Sequence, residues 1–168
     1  MRKICIIGSG GAGKSTLAKK LHDELNIPMF HLDALYWQPN WVGMDKVKWA
    51  RLQTELCNQS EWIIDGNYGG TIDIRLKASD VIIFLDFPVY LCLWRAFKRQ
   101  IKYRGKTRPD MGRECIERFS FSFVWWILSY ARTRKPKIMS KLSELNEKPI
   151  YILQSKKDID KFICKIQQ

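Results

Sequence analysis

This chain lacks the residue patterns of a zinc-bound or disulfide-stapled protein. Only two histidines occur (His22, His31), and the five cysteines (Cys5, Cys57, Cys92, Cys115, Cys164) are odd in number, widely spaced and form no C-x-x-C pair. That spacing argues against a zinc site and a disulfide framework, leaving the cysteines as small apolar fillers with reduced thiols. No apolar run reaches the ~18 residues of a membrane span. The longest, 119–131, is 13 residues and holds three serines. The N-terminal Met-Arg-Lys before Ile-Cys-Ile-Ile has neither the long apolar region nor the small-residue cleavage site of a signal peptide, so a cytoplasmic protein is expected. Internal repeats and low-complexity segments are missing too. Acidic residues are scarce in one stretch: 90–141 holds 14 Lys+Arg and 3 Asp+Glu, and carries nearly all of the net charge of +12. Such a block suits nucleotide phosphates, nucleic acid or an anionic membrane surface. A solvated helical face is the alternative, but such faces usually mix both signs.

What is present reads as one globular domain over residues 1–168. Apolar residues make up 46% and charged residues 27%, a balance that supports a packed core without staples. Short unbroken apolar runs predict strands at 3–7, 27–32, 62–64, 81–85 and 149–153. Helical spacing predicts helices at 15–25, 45–58 (capped by Asp45), 71–77, 89–103, 112–133, 137–146 and 157–166. Residues 37–41 and 104–110 read as loops. Strands alternating with helices give an α/β fold with a five-stranded parallel sheet flanked by helices. Ligands in such sheets sit at the carboxyl ends of the strands. Four strands end there in Gly8, Asp33, Asp65 and Asp86.

Gly8-Ser9-Gly10-Gly11-Ala12-Gly13-Lys14-Ser15, followed by Thr16, fits G-x-x-x-x-G-K-[ST] between a strand and a helix. Glycines let the backbone turn its N–H groups inward as a phosphate cradle, and the following helix adds its positive end. In this pattern Lys14 reaches the β- and γ-phosphates and the Ser15 hydroxyl takes Mg²⁺. ATP and Mg²⁺ are therefore the expected ligands, with residues 8–16 as the nucleotide-binding loop.

Together with that loop, His31-Leu32-Asp33, the run Trp62 to Tyr68, Phe84-Leu85-Asp86-Phe87-Pro88 and the run Lys102 to Asp110 make the chain resemble the adenylate-kinase-like P-loop kinases. Within them it is most similar to the DNA topology modulation protein family. The resemblance implies a nucleoside-monophosphate-kinase-like P-loop NTPase fold with a basic, lid-like helical insertion at about 104–146. It implies ATP-dependent phosphoryl transfer to a small nucleotide-like or hydroxyl-bearing acceptor. The family's name implies the alternative, a nucleotide-regulated DNA-binding protein. It also implies roles: Asp65 near Mg²⁺, and Arg95 and Arg99, seven and eleven residues after Pro88, on the ATP phosphates. Asp65 also reads as a strand-end turn residue, and the two arginines as part of a basic solvated stripe. Arg99 is expected to act chiefly on turnover.

The chain departs from adenylate kinase where that enzyme grips its acceptor phosphate. Asn67, Tyr68 and Gly69 stand in place of Phe-Pro-Arg, and no arginine occurs between Arg2 and Arg51. Arg75 is a candidate substitute. Asp33 reads two ways, as the carboxylate that takes a proton from a substrate hydroxyl or as a helix cap. Trp37 and Trp41 either floor the acceptor pocket or shield the core. Arg104, Lys106, Arg108, Arg132 and Arg134 are candidates to cover ATP. Phe119, Phe123, Trp126, Ile127 and Tyr130 share one helical face, which packs on the body, docks on a membrane or forms a dimer face. Counterion release makes weak, non-specific nucleic-acid binding expected of such a basic block.

Overall fold

The computed structural model of the chain describes residues 1–117, 120–145 and 147–166. The strands are β1 (Lys3–Gly8), β2 (Met29–His31), β3 (Trp37–Gln38), β4 (Val42–Gly43), β5 (Trp62–Asp65), β6 (Val81–Leu85) and β7 (Ile150–Leu153). The helices are α1 (Lys14–Leu25), α2 (Leu32–Tyr36), α3 (Lys46–Cys57), α4 (Ile72–Ala78), α5 (Val89–Lys102), α6 (Phe121–Thr133), α7 (Lys135–Ser143) and α8 (Lys156–Ile166).

Five strands form one parallel sheet in the order β2-β5-β1-β6-β7. The three central strands, β5, β1 and β6, come from three of the five apolar runs and bury side chains on both faces as interior parallel strands must. Alternation splits them between two cores. Ile4, Ile6, Ile63, Ile83 and Leu85 pack beneath α1, α5 and α8. Cys5, Ile7, Trp62, Ile64, Ile82 and Phe84 pack beneath α3, α4 and α7. α6 bridges the two layers, giving Ile127 to the first core and Tyr130 to the second. Asp45 caps α3 as expected, its side chain accepting from the Val47 and Lys48 amides at 3.0 and 3.1 Å. Four of the cysteines are buried, Cys164 is exposed, and all five are free thiols. No helix among the described residues is long and apolar enough to cross a membrane.

Three expectations need correcting. The strand expected at 27–32 is only Met29–His31, because Leu32 already turns into α2 and is itself fully buried. Residues 37–43 are not a plain loop: β3 and β4 pair antiparallel around a tight turn. The helix expected to start near 112 begins at Phe121, where the Ser120 hydroxyl accepts from the Phe123 amide. Before it, 104–117 runs as an irregular strap with isolated bridges at Arg104–Glu117 and Thr107–Ile116. The aromatic face of α6, by contrast, packs on the body, the first of its three readings. Ile127 and Tyr130 are buried, and Phe123 and Trp126 pack against the cores. Phe119 lies outside the described residues.

Candidate active site

The carboxyl ends of β1, β5 and β2 open into a cleft of about 1570 Å³. Its floor is the turn from β1 into α1. Gly13 caps α1 with φ at 98°, a left-handed conformation that glycine adopts without cost. Gly11 has φ at 77°, and a Cβ there would lie 2.1 Å from the Cys92 carbonyl oxygen. The loop is therefore pressed against the backbone of α5 at Cys92, and the buried residues of that helix, Cys92 and Ala96, are small. The Lys14 ammonium donates to the Gly8 and Ser9 carbonyls, both at 3.0 Å. Enclosure pushes its pKa below the ordinary lysine value, Asp33 and Asp65 pull it back up, and Arg99 adds to the lowering.

Asn67 fastens this floor to the neighbouring strand. Its Oδ1 accepts from the Gly8 amide at 3.1 Å and its Nδ2 donates to the Gly8 carbonyl at 2.7 Å. Next to it Asp65, at the end of β5, is buried and its Oδ1 is 2.7 Å from His31 Nδ1. Burial acts to lower the His31 pKa, but the hydrogen bond and charge of Asp65, with Asp110 and Asp33 behind it, raise it above the ordinary histidine value. Asp33 stands exposed to the cleft in the first turn of α2, and its Oδ1 accepts from the Tyr68 hydroxyl at 2.8 Å. His31, not Asp33, occupies the cap position, and no side chain caps α2. The helix-cap reading of Asp33 is thereby removed. Burial, then the charge and hydrogen bond of Asp33, push the Tyr68 phenol far above its ordinary value, so it stays a neutral donor.

The α5 side supplies the cations. Arg95 Nη1 donates to the Ala12 carbonyl at 3.3 Å and its guanidinium lies 4.7 Å from the centre of the Phe87 ring. Arg99 lies 5.6 Å from the Phe123 ring centre, and its Nε is buried with no hydrogen-bond partner among the described residues. Burial and the neighbouring Arg108 lower its pKa, although a guanidinium remains charged near neutral pH. The two arginines thus form the inward side of α5, not a solvated stripe.

Among the other arginines and lysines expected to cover ATP, only Arg108 and Arg134 line the cleft. Arg108 is buried and ion-paired to Glu117 at 2.8 Å and Asp110 at 3.4 Å. Arg134 sits over the Trp126 ring at 5.0 Å. Arg104, Lys106 and Arg132 are exposed away from it. Trp37 and Trp41 both line the cleft. Arg75 does not. It is fully buried, donating to Gln53 Oε1 and to the Gly66 and Asn67 carbonyls, the last at 2.5 Å. It braces the β5–α4 turn, and the expectation that it grips an acceptor fails because no part of it reaches the cleft.

Gly10, Gly11, Gly13, Lys14, Ser15, Thr16, Asp33, Asp65, Arg95 and Arg99 therefore all border one space, along with His31, Asn67 and Tyr68, which sequence reasoning had given no role. Gly8, Ser9 and Ala12 complete the turn beneath it. Asn67 and Tyr68 follow the Asp-Gly pair directly. That adjacency was the available signal, but their partners lie 59 and 35 residues away in the chain.

The chain matches no protein-family model, and no curated protein is similar to it in sequence. Solved structures do resemble it. A shikimate kinase from Acinetobacter baumannii superposes with a TM-score of 0.64 at 16% identity, over 100% of this chain and 92% of that one. A shikimate kinase from Bacteroides thetaiotaomicron gives 0.58 at 16%, over 98% and 95%. A sugar kinase from Janibacter sp. gives 0.57 at 15%, over 99% and 94%. At these identities the likeness is one of fold, and the fold is that of the P-loop kinases, with a five-stranded parallel sheet of the nucleoside-monophosphate-kinase kind.

Proposed function

We propose that this protein is a kinase that transfers the γ-phosphoryl group of ATP to the hydroxyl group of a small acceptor. The observation that carries this reading is the convergence on one cleft of a phosphate-cradling turn with its lysine, two inward arginines and an open carboxylate. The Gly10–Lys14 turn and the start of α1 take the phosphates. Lys14, Arg95 and Arg99 neutralise the charge that builds on the transferring group, and the buried Arg99 Nε, partnerless among the described residues, supports an anion beside it. Asp33 removes the acceptor's proton. Tyr68 holds one of its oxygens, leaving the other to take that proton as the acceptor oxygen bonds to the γ-phosphorus and the β–γ bridging oxygen leaves.

The site also suits Mg²⁺. No group of three or more metal-ligating side chains occurs among the described residues. The Ser15 hydroxyl and Asp65 do border the cleft, and Mg²⁺ is usually held by one or two protein oxygens together with substrate phosphates. Bound there, it would neutralise charge on the phosphates. A hydroxyl acceptor is favoured over a phosphate-bearing one because Arg75 is withdrawn into the fold and Arg108 is already paired with two carboxylates.

The alternative, a nucleotide-regulated DNA-binding protein, rests on the basic block. Several of those charges turn inward or are paired: Arg95, Arg99 and Arg108 in the cleft, Lys135 with Asp86 and Lys141 with Asp73. That arrangement supports the kinase. The test is an acceptor screen that follows ATP consumption with nucleosides, nucleoside monophosphates, sugars and hydroxy acids. At least one hydroxyl compound is expected to stimulate turnover. Asp33→Asn should lower that turnover by ~10²–10⁴-fold while leaving ATP affinity nearly unchanged. DNA affinity at roughly physiological salt should be micromolar or weaker and should fall when a non-hydrolysable ATP analogue fills the cleft. Sequence-selective DNA binding that persists with the analogue, and no acceptor-stimulated turnover, would overturn the kinase reading.

A further inference from the structure

α5 and α6 pack against each other, and both lean on the nucleotide loop. α5 does so through Cys92, and α6 through Phe123, whose ring would lie 2.8 Å from a Cβ at Gly10. Their outer sides are nevertheless apolar. Tyr90, Trp94, Phe97 and Ile101 recur every three or four residues along α5, on the side opposite Cys92, Ala96 and Arg99. Trp125 and Leu128 continue the pattern on the outside of α6. These six range from 45% exposed (Leu128) to 75% exposed (Tyr90). At ~150–250 Å² for each aromatic side chain, they present roughly 700–800 Å² of apolar surface to water. The largest apolar patch on a typical monomer is about 300–600 Å². A stable protein–protein interface buries about 800 Å² on each partner.

We propose that this face is self-complementary, and that two copies of the chain associate through their α5–α6 pairs. Three occupants compete for such a surface, and its details select a second copy. Bases stacking from a nucleic acid need open ring faces, but Phe97 stacks on Trp94 with ring centres 6.4 Å apart, and the Lys98 ammonium sits 4.7 Å over the same ring. A bilayer takes up projecting side chains, whereas Trp94 and Phe97 lie half-covered along the helix. The packed α5–α6 pair, apolar on its outer sides, matches another such pair. The four-helix layer so formed buries the stripe on both copies and leaves Lys98 and Lys102 at the rim. Each interface would also brace the helix that carries Arg95 and Arg99 into the cleft.

Sedimentation of the whole chain, over concentrations bracketing about 1 µM and at roughly 0.15 and 0.5 M salt, tests this. A dimer is expected, unchanged or tightened by the higher salt, because screening relieves repulsion between two copies of net charge +12. Trp94→Glu should weaken association by at least ~100-fold, as removal of a central aromatic anchor does. Trp125→Glu serves as an independent variant, and unchanged far-ultraviolet circular dichroism shows that each is folded. A monomer throughout the range overturns the proposal. So does a monomer that binds vesicles of about 30% phosphatidylserine or single-stranded DNA, loses that binding with Trp94→Glu and releases as salt rises, since the face then belongs to an anionic partner.

Discussion

Lys14→Ala should weaken ATP binding by at least ~100-fold and leave the fold standing. The ammonium is held over the loop by two carbonyls at 3.0 Å and lies where a phosphate would meet it. At ~4 Å and an effective dielectric constant near 20, one such charge pair is worth about 4 kcal/mol, close to three decades of affinity before reorganisation reduces it. Stability should change far less. The two carbonyls face a water-filled cleft once the lysine is gone, and changes at such positions usually stay within about 1 kcal/mol. Calorimetric titration with an ATP analogue and urea unfolding separate the two effects. Unaltered nucleotide affinity would remove the loop from the binding site.

Arg75→Ala should do the reverse, costing about 3–5 kcal/mol of stability and acting on ATP only through the damaged fold. Its guanidinium is fully buried and joins Gln53 on α3 to the carbonyls of Gly66 and Asn67 after β5. Truncation leaves three acceptors without a donor, at about 1–3 kcal/mol for each that water cannot reach, and a cavity besides. Against a typical total of 5–15 kcal/mol, the variant should melt well below the parent. Arg75→Lys keeps the charge but not the planar fork, and should recover only part of the loss. An acceptor-binding arginine would behave oppositely, with unchanged stability and a raised KM for the acceptor.

Why Arg75 was misread shows how much of this protein its sequence discloses. The central sheet was legible because β1, β5 and β6 are unbroken apolar runs, and the loop because its glycines serve a local turn. Asp65 was legible as a candidate because it ends a strand, and Asp33 because it follows an apolar run that does, two residues past the end of β2. Arg75 falls three residues after Ile72 and one before Leu76, on the buried side of α4, so its position on the helix was a usable signal. Its charge argued for the surface, and only the carbonyls gathered around it reverse that. Asn67, Tyr68 and His31 depend on partners far along the chain, which no local pattern reveals. α5 shows the opposite arrangement. Tyr90, Trp94, Phe97 and Ile101 form a regular apolar stripe that faces water, while the side toward the loop and core carries the small Cys92 and Ala96.

The strap before α6 is attached to the opposite wall of the cleft. Trp41 Nε1 donates to the Ile116 carbonyl at 3.0 Å, the Cys115 thiol donates to the Gln38 carbonyl at 3.3 Å, and a Cβ on Gly112 would lie 2.0 Å from the Trp37 carbonyl oxygen. Residues 112–116 and the β3–β4 hairpin are therefore one piece of wall. Opening the cleft along this edge therefore requires either breaking the Trp41–Ile116 and Cys115–Gln38 hydrogen bonds or moving the hairpin together with the strap.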